Sequence, residues 1–182
     1  VKISADTNAV GLYMSDMGKA PLLSREGETH LAREIENGVA ELKLLVLGSP
    51  VAMRQIRNWA ELIRQGEMDA KELMPRGTPS RAQVAGMRRR LLAVSRSLGR
   101  GARGEAVIRK IMALGLHDDK VRRLTNRLRD QARRVSEGRP TDPMTMPPAQ
   151  LLELDDRIGI LDAKVEEAKE GLLRANLRLV IS

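Results

Sequence analysis

The stretch SPVAMRQIRNWAELIRQG, residues 49–66, decides the fold class. Ser49 is an N-cap candidate, and Pro50 takes the first helical position, where a missing N–H costs nothing. Met53, Ile56, Trp59, Ala60 and Ile63 then recur in steps of three and four, which predicts one buried helix face ending at Gly66. The same kind of spacing runs outward in both directions.

Towards the N-terminus, Ser24 caps a second predicted helix, with Glu26 and Glu28 in the first turn, where carboxylates complement the helix dipole. Leu31, Ile35, Leu42 and Leu45 continue it, and Gly38 is expected to bend or break it. Earlier still, Val10, Tyr13, Met14 and Met17 form a short stripe behind Asp6 and Thr7. Gly18 stops that stripe and Pro21 holds an extended link.

Towards the C-terminus, residues 75–79 read as a loop. Val84, Met87, Leu91, Val94 and Leu98 then mark a helix from Ser80 to a Gly99-Arg100-Gly101 hinge. A short helix carries Val107, Ile111 and Leu114, and a longer one Val121, Leu124, Leu128, Ala132 and Val135. Residues 138–148 hold four prolines and form the best linker in the chain. Two last segments are expected, one with Leu151, Leu154 and Ile158, the other with Leu161, Val165, Ala168, Leu172 and Leu179. The second is still helical in pattern at Ser182, without a Gly, Pro or polar brake, so a fragment cut inside an element is expected.

Composition agrees with an all-α protein. Leu, Ala, Met and Arg dominate, Tyr13 and Trp59 are the sole aromatics, and Phe is absent, whereas sandwiches and barrels lean on aromatic and β-branched residues. Without Cys there is no disulfide, thiolate metal site or cysteine nucleophile. His30 and His117 are far apart in sequence, so no metal site or cofactor is expected. They read as surface residues or satisfied interior ones. There is no Gly-rich phosphate loop, nucleophile elbow or paired-His motif, and Glu26 and Glu28 diverge on their helix, so a non-enzymatic protein is expected. No signal peptide is evident and no apolar run approaches the roughly 20 residues of a membrane span. With Cys absent, a cytoplasmic location follows as the expectation.

Charge is uneven. The chain is +8 overall, but residues 76–139 hold 18 basic and 5 acidic residues, a net +13, leaving −5 for the remainder. Arg88, Arg89, Arg90, Arg122 and Arg123 in this segment are candidates for contact with a polyanion or an acidic protein surface. A solvated Arg-rich face is the alternative. The basic segment contains no aromatic on which bases could stack, so nucleic-acid contact here would run through duplex phosphates.

Two segments carry a resemblance. Residues 9–28, AVGLYMSDMGKAPLLSREGE, lead into the amphipathic helix through Ile35, and residues 175–182, ANLRLVIS, follow Ala168-Lys169-Glu170. In this order they resemble bacterial primary (housekeeping) sigma factors. The first looks like conserved region 1.2, the second like the opening of region 2.1. The resemblance divides the chain into region 1.2 (6–38), a non-conserved helical insert (39–160) and a truncated start of region 2.1 (161–182). Asn8-Ala9 stands where the family usually has Asp-Pro, Gly11 where it has Arg, and Ser15 where a basic residue is frequent.

What the resemblance implies is a transcription initiation factor that directs core RNA polymerase to promoters and captures the non-template single strand. By motif position, Tyr13, Met14 and Met17 would contact the discriminator. Leu22, Glu26, Glu28, Asn176 and Leu179 would form the pocket at the downstream edge of the minus-ten element. Asn176 is the pointed member, since Asn on an otherwise apolar helix stripe needs a partner. The insert would contact the largest polymerase subunit. Two alternatives stay open: a free-standing basic helical module binding duplex nucleic acid without sequence preference, and a helical protein-interaction scaffold.

Overall fold

The computed structural model describes residues 24–140 and 146–181. Among these residues there are six α-helices, one 3-10 helix and no strand, so the all-α expectation holds. The α-helices are α1 (Arg25–Leu47), α2 (Pro50–Gln65), α3 (Arg81–Gly99), α4 (Glu105–Met112), α5 (Asp118–Ser136) and α6 (Pro148–Ile181). The 3-10 helix, Ala70–Leu73, lies between α2 and α3. The chain divides into two compact units, residues 41–159 and residues 1–40 with 160–182.

Residues 41–159 form a core of interlocking helix stripes. Ile56, Trp59, Ala60 and Ile63 of α2 are buried, as are Met87, Leu91, Val94 and Leu98 of α3, Val107 and Ile111 of α4, and Val121, Leu124, Leu128 and Ala132 of α5. Each fully buried aliphatic side chain contributes about 1.5–3 kcal/mol of transfer free energy, so packing dominates over helix propensity. α3 packs against α2, α4 and the 3-10 helix, and α2 also meets α5.

Local chemistry sets where these helices begin and end. Ser49 Oγ accepts from the Ala52 N–H at 3.1 Å and donates to Val46 O at 2.7 Å, so one buried hydroxyl closes α1 and opens α2. A cap of this kind is worth about 0.5–2 kcal/mol. Gly66 ends α2 with φ 80°, a left-handed conformation that favours glycine. Asp69 with Glu72, and Ser80 with Gln83, form reciprocal capping boxes at the 3-10 helix and at α3.

The unit of residues 1–40 and 160–182 holds the start of α1 and the end of α6. A Cβ on Gly38 would lie 2.5 Å from Val165 Cγ2, and one on Gly171 would lie 3.3 Å from Leu31 Cδ1. Moving back along α1 thus moves forward along α6, and the two stretches run antiparallel. Glycine at both positions lets the backbones approach.

Two expectations are corrected here. Gly38 does not break the helix into two elements: α1 runs unbroken from Arg25 to Leu47, and the missing side chain serves close packing. The two final segments are one helix of 34 residues that continues through Gly159. A helix-interior glycine costs about 1 kcal/mol relative to alanine, which flanking packed turns readily outweigh. The predicted stripe Val10–Met17 and the link at Pro21 lie outside the described residues, as do residues 141–145 of the linker.

Asp155 is the one carboxylate in tension with its surroundings on α6. Its Oδ1 is buried without a hydrogen-bond partner. Desolvation raises its pKa above the ordinary value, Arg129 pulls it down and neighbouring Asp156 pushes it up. The folded state therefore holds this proton more tightly than the unfolded state. The resulting penalty is absent below the ordinary carboxylate range and fully present above the raised value. Asp155→Asn is expected to unfold at higher urea than the parent at pH 7 and at the same urea near pH 3. A loss of stability at pH 7 would instead show that attraction to Arg129 outweighs the burial.

Candidate nucleic-acid and protein interface

The start of α1 is built as an N-terminal cap. Ser24 Oγ accepts from the Gly27 N–H at 3.1 Å, and Ser24 O accepts from the Glu28 N–H at 3.0 Å. Glu26 is exposed, and its own backbone N–H and then the Ser24 hydroxyl hold its carboxyl below the usual value. Glu28 is half-buried. Because α1 and α6 run antiparallel here, Glu26, Glu28 and Asn176 come to the same end of the pair.

Asn176 is exposed, beside a buried stripe formed by Val165, Ala168 and Ala175. It is therefore not a polar group trapped on an apolar stripe, which corrects that reason for singling it out. Turning by 100° per residue places it next to Ala175 but off the buried line. Tyr13, Met14, Met17 and Leu22 lie outside the described residues, and of Leu179 only the backbone, within α6, is described.

The basic candidates fall on two helices. Arg88, Arg89 and Arg90 are exposed on α3, and Arg122 and Arg123 are exposed on α5. Arg122 is tied at 2.5 Å to Asp119, which also takes Arg76 at 3.2 Å. Partial desolvation raises the Asp119 pKa, but Arg122, His117 and Arg76 outweigh it and hold the carboxyl below its ordinary value. The same corner binds Lys43 Nζ to Asp118 at 2.8 Å. Part of the positive charge on α5 is thus spent within the fold.

The two histidines take structural places. His30 is exposed, 3.6 Å from Glu34 one turn on. His117 is the N-cap of α5: its Nδ1 accepts from the Asp119 N–H at 2.9 Å, and its backbone N–H donates to Leu73 O at 2.9 Å. Among the described residues no three His, Asp or Glu side chains gather as a metal site, and no helix is long and apolar enough to cross a membrane.

Arginines outside the basic segment also matter. Arg54, Arg57 and Arg64 on α2 line grooves along the α2–α3 seam together with Arg81, Arg88 and Arg96. Charge counting by segment missed this, because the α2 arginines belong to the acidic remainder of the chain. The missed 3-10 helix had a local signal, Asp69-x-x-Glu72, in the form of a capping box.

Residues 8–41 match the family model described as Sigma-70 factor, region 1.2. That match supports a sigma-70 family factor. It extends from residues outside the described set into α1 as far as Glu41.

Proposed function

We propose that this chain is part of a primary, housekeeping-class bacterial sigma factor, cytoplasmic and non-enzymatic, that directs core RNA polymerase to promoters. The match of residues 8–41 to sigma-70 region 1.2 carries this reading. In it, Tyr13, Met14 and Met17 contact the discriminator of the non-template strand. An aromatic ring and flexible thioethers suit unstacked bases. Leu22, Glu26, Glu28, Asn176 and Leu179 form the pocket at the downstream edge of the minus-ten element. The antiparallel pairing of α1 with α6 supports grouping Glu26, Glu28 and Asn176. A low-pKa carboxylate at Glu26 is an acceptor for base N–H groups.

The segments read as region 1.2 and as the start of region 2.1 belong to one compact unit, while residues 41–159 carry a core of their own. That division supports treating the middle as an insert. Its exposed arginines, Arg88, Arg89, Arg90 and Arg123 among them, suit an acidic surface on the largest polymerase subunit or duplex phosphates upstream.

The test is fluorescence anisotropy of a labelled non-template oligonucleotide spanning the minus-ten and discriminator elements, with this chain and core polymerase. Binding should require core polymerase, and Tyr13→Ala should weaken it about 5- to 100-fold, the value of one stacked base. Core-independent binding of any duplex, steep in salt and indifferent to Tyr13→Ala, would replace the proposal with a basic duplex-binding module.

A further inference from the structure

The groove between the C-terminal half of α2 and the N-terminal half of α3 is used by none of the roles above, Arg88 apart. It encloses about 660 Å³, within the usual range for pockets that take a ligand or several side chains. Ile63 and Ala70 are buried in its floor, and Met68, Pro79 and Val84 are half-buried. Arg64, Arg81 and Arg88 stand exposed on its rim; Arg64 also holds Glu61 of the same helix, Nη1 to Oε2 at 2.6 Å, through one of the five N–H donors of its guanidinium. Its one carboxylate, Asp69, is occupied: Oδ1 accepts from the Lys71 N–H at 2.9 Å, and Oδ2 lies 3.8 Å from Lys71 Nζ.

The walls are held in place before anything binds. Gly66 closes α2 in the left-handed region, and the two capping boxes pin the 3-10 helix and the start of α3. Such preorganisation lowers the ordering cost of association. Arg64 also lines a second groove of about 560 Å³ further along the same seam, with Arg54, Arg57 and Arg96. Positive charge therefore recurs along the seam from Arg54 to Arg64, about 15 Å at helical rise, with Glu61 the one carboxylate in the second groove.

We infer that this seam docks an acidic amphipathic helix of a partner protein, with apolar side chains on Ile63, Met68 and Val84 and carboxylates on Arg64, Arg81 and Arg88. Charge complementarity selects the occupant. Guanidinium groups take carboxylates in bidentate fashion, and a methionine adapts its shape to an incoming aliphatic side chain. Nucleobases find no aromatic to stack on in this lining, and a phosphate backbone has no use for an apolar floor. A helix laid in a groove satisfies both the floor and the rim. The inference uses only residues 41–159 and stands whether or not the sigma reading does.

The probe is a fluorescein-labelled helical peptide of about 16 residues, Leu on one face and Glu elsewhere. Its partner control carries Ser in place of every Leu. Titrated with the whole chain, the Leu peptide should bind and the Ser peptide should bind at least about tenfold more weakly. The combined Arg64→Glu, Arg81→Glu and Arg88→Glu variant should lose more than about tenfold, because it sets like charges against each other. Its circular dichroism and melting should match the parent, since all three side chains are exposed. Met68→Ser, which keeps the charge, should weaken the Leu peptide alone. Equal binding of the two peptides, undiminished binding by the charge-reversed variant, or no binding at all overturns the inference. If a short DNA duplex displaces the peptide and the Ser peptide binds as well as the Leu peptide, the seam is a phosphate-backbone site instead.

Discussion

Ile56→Ala is expected to lower the unfolding free energy of residues 41–159 by about 2–5 kcal/mol. Ile56 is fully buried on α2, within the stripe that includes Trp59, Ala60 and Ile63. Truncation removes both the transfer free energy of the lost methyl and methylene groups and the contacts of the atoms left lining a cavity. Domains of this size are typically stable by about 5–15 kcal/mol, so the loss removes a large share of the total. Urea unfolding followed by circular dichroism should show a lower midpoint with an unchanged slope. Leu44→Ala is the matched control: Leu44 is 46% exposed, and the change should stay within about 0.5 kcal/mol. Equal effects from the two variants would contradict the placement of α2 in the core.

The second large effect is one of sign. Gly159→Ala should stabilise by about 0.5–1 kcal/mol, because a Cβ there meets nothing within 4 Å and alanine is the better helix former. Gly38→Ala gains the same propensity and should nevertheless destabilise. Its Cβ would sit 2.5 Å from Val165 Cγ2, and a valine in a helix has essentially one rotamer, so it has little room to turn away. Overpacking of this kind costs about 1–3 kcal/mol, more than the propensity returns. Gly38→Ala combined with Val165→Ala should recover much of the loss, giving a coupling of about 0.5–3 kcal/mol in a double-mutant cycle. Hydrogen exchange of α1 amides reads this locally and separates it from unfolding of residues 41–159. Stabilisation by Gly38→Ala alone would mean that α1 and α6 do not approach closely at Gly38.

Taken together, the two glycine variants show what kind of information a sequence holds. Propensity treats Gly38 and Gly159 alike, as weak points at which a helix bends, breaks or divides. Packing treats them oppositely, and the pattern offers no way to tell them apart. The neighbour that decides the matter, Val165, is distant in the chain.

Helix stripes and caps were legible because they are local. Ser49 before Pro50, Gly66 after Ile63, and Ser80 three residues before Gln83 each satisfy orphaned backbone groups within one turn, and the structure places a helix boundary at each. The buried residues of α2 to α5 follow the spacing of three and four for the same reason: the helical repeat itself puts those side chains on one face. The resemblance to sigma region 1.2 likewise rests on contiguous residues, and the family match over residues 8–41 agrees with it.

The candidate interface was less legible. Arg88 could be picked out from a basic triplet, but its groove partner Arg64 becomes a neighbour only when α2 and α3 pack together. Arg122 read as available charge, yet Asp119 holds it. Asn176 read as part of an apolar stripe, yet it is exposed.

By itself, then, the sequence determined the all-helical class, most of the helix boundaries, the core-facing stripes of α2 to α5 and the sigma-like segment. These depend on interactions within a few residues, which composition and periodicity record directly. Only the tertiary structure decided that α1 and α6 are each continuous, that two glycines let them run side by side, and that arginines from segments of opposite net charge share one seam. Those outcomes depend on which surfaces meet across long stretches of chain, where a contact's free energy belongs to a pair of residues and neither one's position in the sequence announces it.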